Sequence, residues 1–122
     1  MMIAPTPFEY LTWALRLSLA LVFLAAGAAK LASVPMMVQI FDQIGFGQWF
    51  RIVTGLVEIV GALALLLPGW TALGALCLAA TMFFAVLTHI FLLRSSAAAA
   101  VVLFALNMSL AWICRQQLLS TP

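Results

Sequence analysis

Apolar residues run along this chain in long stretches, and the few polar positions inside them recur at helical spacing. Residues 10–31, 49–67, 70–93 and 97–114 each approach the ~20 residues that an α-helix needs to cross hydrocarbon. The pattern predicts an all-α integral membrane protein whose four spanning helices pack as a four-helix bundle. Pro5 and Pro7 keep residues 1–7 extended and set the first helix start near residues 8–12, with Tyr10 and Trp13 as interfacial aromatics. Along this first span Arg16, Ala20, Phe23, Gly27 and Lys30 share one stripe. Lipid rejects a face bearing two cations, so the stripe should point inward, with Gly27 admitting a close neighbour. Snorkelling of Arg16 and Lys30 to their nearer interfaces is the structural alternative.

Residues 32–50 form the longest connection, yet Met36, Met37, Ile40, Phe41 and Ile44 recur at helical spacing within it. This predicts a short amphipathic interfacial helix between spans one and two, lying against the membrane or capping the bundle ahead of the IGFGQW turn. In the second span a small and polar stripe runs from Thr54 or Gly55 through Glu58 to Gly61 or Ala62, and Pro68-Gly69 stops the helix. The third span follows at once, so the two must be antiparallel neighbours. Gly74, Leu78, Thr81, Ala85, Thr88 and His89 share one of its sides, and Arg94 closes it. After a Ser95-Ser96 turn comes the fourth span, where Asn107 is the strongly polar side chain, and Trp112 and Arg115 mark its end before a Gln116-Gln117 tail.

Composition settles the class. Of 122 residues 67% are hydrophobic and 7% charged, against about 25% charged in a soluble domain. Eight charged side chains cannot coat a soluble domain of this size. A net charge of +2 without a Lys or Arg run argues against nucleic acid as a partner and leaves membrane lipid as the expected one. A cleaved leader is not expected, because Glu9 rather than a cation precedes the first apolar run and Lys30 interrupts the small-residue stretch at its end. Cys77 and Cys114 fall in apolar segments with no CxxC and no histidine spaced for a metal site, so they read as buried small apolar side chains and no metal is expected. Lys30, Arg51 and Arg94 towards one face, against Arg16 and Arg115 towards the other, leave the direction of insertion open.

The candidate chemistry centres on Glu58. A lone charge in hydrocarbon costs ~2.5–3.5 kcal/mol on insertion scales, so this carboxylate needs a partner or a task. At 1.5 Å per residue it lies ~13 Å beyond Trp49 and near the midplane, with Lys30 above it and Arg16 approaching from the opposite side. The expected pair is Arg16–Glu58, since guanidinium offers a bidentate fork and tolerates burial better than ammonium. With Lys30, His89 and Asn107 these residues make one candidate buried polar cluster, in which His89 would be a hydrogen-bond partner or proton carrier and Asn107 an inter-helix hydrogen-bond donor.

Three segments carry a family resemblance: RLSLALVFLAAGAAKL at residues 16–31, FDQIGFG at 41–47 and GLVEIVGALALLLP at 55–68. With the arginine, the glycine three before the lysine, and the GxxE element, the chain resembles the DoxX family of small membrane proteins. The resemblance implies one DoxX-like membrane domain over residues 1–122, multi-pass, in the inner membrane if the cell is bacterial. Some members of that family are linked to respiratory or quinone chemistry, including the thiosulfate:quinone oxidoreductase relative DoxD; others have proposed roles in redox stress, and distant relatives act in protein assembly or cargo handling. Three functions therefore compete. A quinone- or redox-linked subunit would hold a quinone at the polar cluster and take electrons from a redox partner protein, since no motif here binds haem, flavin, iron–sulfur or nicotinamide. A scaffold or assembly protein would use the cluster to fix helix packing. A small transporter or proton pathway would require a homo-oligomer, because one chain has too few helices and no evident inverted repeat.

Overall fold

The computed structural model describes residues 6–119, and within them every regular element is helical. The elements are α1 (Pro7–Leu31), α2 (Pro35–Ile44), α3 (Gln48–Leu66), α4 (Thr71–Thr88) continuing into a π-helical turn (His89–Leu93), α5 (Ala98–Ile113) and a final turn, α6 (Gln116–Leu119). Among the described residues, three helices are long and apolar enough to cross a membrane: α1, α3, and α4 with its π-helical extension. The predicted fourth span is shorter than the other three. Its helix begins at Ala98 and ends before Cys114, giving 16 residues, or ~24 Å at 1.5 Å per residue.

Local sequence explains the boundaries. Thr6 accepts the Glu9 N–H at 3.2 Å and Pro7 occupies the first turn, where its missing N–H costs nothing. The first helix thus starts at the proline itself, ahead of the expected residues 8–12; most of the segment expected to be extended, residues 1–5, lies outside the described residues. The amphipathic helix expected in the long connection is α2, again begun by a proline and ended by Gly45 in the left-handed conformation at φ 86°.

The packing is inside-out relative to a soluble domain. Large apolar side chains such as Leu21, Val60 and Phe91 are at least 65% exposed, as a hydrocarbon-facing surface requires. Leu19, Phe23, Leu65, Leu78 and Leu110 fill the interior. α3 lies between α1 and α4, α4 packs on α5, and α5 returns to touch α1. Glycines set the two close crossings of α3. A Cβ on Gly27 would lie 2.8 Å from the Gly55 carbonyl oxygen, and one on Gly74 would lie 2.9 Å from that of Gly61. Backbone cannot yield as a flexible side chain can, so Gly27→Val should push α1 off α3 and lower stability by ~1–3 kcal/mol, read as an earlier thermal unfolding midpoint in detergent. An unchanged midpoint would mean that the crossing is looser than its geometry.

A buried ion pair under an amphipathic roof

The Gly27–Gly55 crossing fixes the register of antiparallel α1 and α3. Arg16 lies eleven residues before Gly27 and Leu65 ten residues after Gly55, so the two meet: Arg16 Nε donates to the Leu65 carbonyl at 2.7 Å. That carbonyl belongs to the last turn of α3, where Pro68 ends the helix and leaves acceptors without backbone donors. Thr71 Oγ1 donates to the same oxygen at 3.2 Å. The guanidinium is stacked on Trp13, 3.7 Å from the ring centroid. At the other end the arrangement is reciprocal. Arg51, in the first turn of α3, donates to the Lys30 carbonyl in the last turn of α1. Each helix thus supplies an arginine to the carbonyl end of its neighbour, which also suits the helix dipole.

This geometry overturns the expected Arg16–Glu58 pair. Leu65 is seven residues past Glu58, ~10 Å along the axis, so an arginine at that level cannot also serve Glu58. The carboxylate instead meets Lys30, with Nζ 2.8 Å from Oε1; Glu58 is 2% exposed and the lysine side chain 14%. The contact is a close ion pair rather than an aligned hydrogen bond, since Oε1 is among the buried oxygens without a hydrogen-bond partner. Neither cation snorkels outward.

The pair lies on the wall of a cavity of roughly 640 Å³ lined by α1, α2, α3, α4 and α5. The amphipathic face of α2 forms its roof through Met37, Ile40, Phe41 and Ile44. That roof is tied down by a polar chain: Gln48 donates to Asp42 and to the Val38 carbonyl, both at 3.0 Å, and Arg51 Nε donates to Gln48 Oε1 at 2.7 Å. Aromatic edges meet beneath it, with Phe50 5.7 Å from both Phe41 and Phe46. Lining residues Val22 on α1, Val53 on α3 and Phe84 on α4 are 44%, 45% and 64% exposed, so the cavity opens sideways, between helices, onto surface that would face hydrocarbon.

Polar groups inside it are few. Thr54, Thr81 and Thr88 donate to carbonyls of their own helices, at 2.8, 3.0 and 2.8 Å. Lys30, Glu58 and His89 remain as groups able to engage a ligand. His89 Nδ1 lies 2.8 Å from Ser95 Oγ, which holds the imidazole at the cavity edge. Asn107 is fully enclosed but stands apart: its amide donates back to the Leu103 carbonyl at 2.8 Å, and it does not line the cavity. Of the five residues expected to form one cluster, the structure therefore brings together Lys30, Glu58 and His89, and leaves Arg16 and Asn107 elsewhere. Cys77 also departs from expectation, facing outward on α4, because the buried stripe of that helix runs through Gly74, Ala75, Leu78 and Met82. Arg51 was not expected at the site, whereas α2 takes the bundle-capping place that its amphipathic pattern allowed. The signal for Arg51 was its place at the opening of span two, level with the close of span one.

The model of the DoxX-like family matches residues 14–114, a stretch that holds Lys30, Glu58, His89 and all of α2. YdgD of Bacillus subtilis (strain 168), an uncharacterized protein, is 36% identical over 86 residues, covering 67% of this chain and 75% of its own. No solved structure matches the chain.

Proposed function

Because the chain belongs to the DoxX-like family of membrane proteins, we propose that it is a multi-pass subunit that binds a quinone in the Lys30–Glu58 cavity and receives electrons through a partner protein. In a bacterium its place would be the inner membrane. α5 serves as the fourth crossing, its 16 residues accommodated by local thinning of the bilayer and by the interfacial pair of Trp112 and Arg115, 4.1 Å from centroid to Cζ.

The observation that carries the reading is a neutral ion pair with donors to spare, set in an apolar cavity open to hydrocarbon. An ammonium has three N–H donors, and contact with Glu58 occupies one direction. The others can meet a carbonyl oxygen. Because Lys30 and Glu58 cancel in charge, a neutral ligand leaves no uncompensated charge behind, whereas an anion would. Phe23, Phe41 and Phe50 offer faces and edges to a ring. A ring with carbonyl acceptors and an apolar tail, entering sideways from lipid, satisfies all of these conditions.

Titration of the detergent-purified protein with a short-tailed ubiquinone analogue, followed by calorimetry, should show saturable binding. Ala26→Phe puts a ring into the cavity from a half-buried position while leaving both members of the ion pair in the sequence. It should weaken binding by at least about tenfold while leaving the thermal midpoint near that of the unaltered protein. Absence of binding, or binding indifferent to Ala26→Phe, would favour the scaffold role, in which the ion pair only fastens α1 to α3.

A further inference from the structure

The opposite end of α1 carries a second site, independent of the quinone cavity. We propose that the Glu9–Trp13–Arg16 face binds the headgroup of a phospholipid bearing a primary ammonium, phosphatidylethanolamine by class. A recess of roughly 220 Å³ lies there, lined by Phe8, Glu9, Thr12, Trp13 and Arg16 of α1 and by Ile113 at the end of α5. It is smaller than the ~300–1,000 Å³ that holds a whole small molecule, and suits a headgroup whose chains lie outside.

Its inner end is cationic and incompletely matched. Arg16 is 9% exposed; Nε is engaged by the Leu65 carbonyl, but Nη2 is buried without any hydrogen-bond partner. Arg16 lines the recess, so a turn of its side chain brings the guanidinium to a phosphate there, which supplies the charged acceptor that Nη2 lacks. The outer end is anionic. Glu9 is exposed, and its carboxylate has no ion-pair partner among the described residues. Seven residues separate the two, two helical turns less about 20°, so they share a side of α1 with Glu9 ~10 Å nearer water.

That order of charges is the specific feature. A phospholipid presents its acyl chains deepest, its phosphate next and its amine outermost, which places phosphate at Arg16 and ammonium at Glu9. The chains then continue along the α1–α5 seam past Ile113, and Trp13 sits at headgroup level as an interfacial aromatic. Phosphatidylglycerol would set only hydroxyls against Glu9. Phosphatidylcholine would bring a quaternary ammonium with no N–H to donate.

Native mass spectrometry of the delipidated full-length protein tests this, with the three phospholipids compared at identical acyl chains. Phosphatidylethanolamine should bind roughly tenfold more tightly than either of the others, the equivalent of one charge-assisted hydrogen bond. Glu9→Gln, a change at an exposed side chain that makes no packing contact the fold depends on, should abolish the preference without lowering binding of phosphatidylglycerol. Thr12→Phe fills the recess and should weaken all three. Equal binding of the three lipids by the unaltered protein, or a preference that survives Glu9→Gln, would overturn the proposal.

Discussion

Glu58→Leu alone should destabilise the purified protein by ~3 kcal/mol, the lower end of the range for breaking a buried pair, because the lysine it strands is partly exposed and can still reach water. Lys30→Met together with Glu58→Leu should restore the thermal midpoint to near its original value, since no unpaired charge is left between α1 and α3 and apolar side chains of similar volume replace the pair. The stable double variant should nevertheless bind no quinone, having lost the donor as well as the charge. Thermal unfolding and ligand titration on the same three proteins separate the two effects. A double variant that is stable and still binds would assign the pair to packing alone.

Arg51→Met is expected to have the second largest effect. Arg51 is 7% exposed and links three elements: it donates to the Lys30 carbonyl of α1 from the first turn of α3, and through Gln48 it reaches Asp42 and the Val38 carbonyl of α2. Its loss removes a charged donor from two part-buried acceptors, the Lys30 carbonyl and Gln48 Oε1, at ~1.5–3 kcal/mol for each such hydrogen bond, and releases the roof of the cavity. Hydrogen exchange along residues 35–44 should accelerate by at least tenfold, and quinone affinity should fall with it. Arg16→Met removes the matching contact at the far end of α3, and should lower stability comparably while leaving exchange in α2 unchanged. Equal acceleration of α2 in both variants would mean that Arg51 acts through global stability and not through the roof.

Much of this architecture was legible in the chain. Apolar run lengths gave the helices, Pro68-Gly69 gave the end of α3, and the stripe of α3 through Gly55, Glu58 and Gly61 was visible as small residues at helical spacing. The ion-pair partner of Glu58 was not. Choosing it requires the relative height of α1 and α3 to better than two turns, and that height is set by a single backbone contact, Gly27 against Gly55, which a pattern of hydrophobicity does not contain. Asn107 shows the same limit in rotation: its helix has weak amphipathic character, so nothing in the sequence says that the amide folds back on Leu103 and not towards Glu58. The roof could be anticipated as an amphipathic helix, but whether its apolar face meets lipid or a cavity depends on the fold around it.

The cavity's role is tested most directly by photolabelling. A quinone analogue carrying a photoreactive group on its ring, irradiated with the protein in lipid nanodiscs and mapped by peptide mass spectrometry, should label the cavity lining, with Met37, Phe41, Met82 and Leu103 as the principal sites. Excess unlabelled quinone should suppress that labelling. Labelling confined to outward-facing positions such as Leu21, Val60 and Phe91, and insensitive to competitor, would contradict a quinone site between Lys30 and the α2 roof.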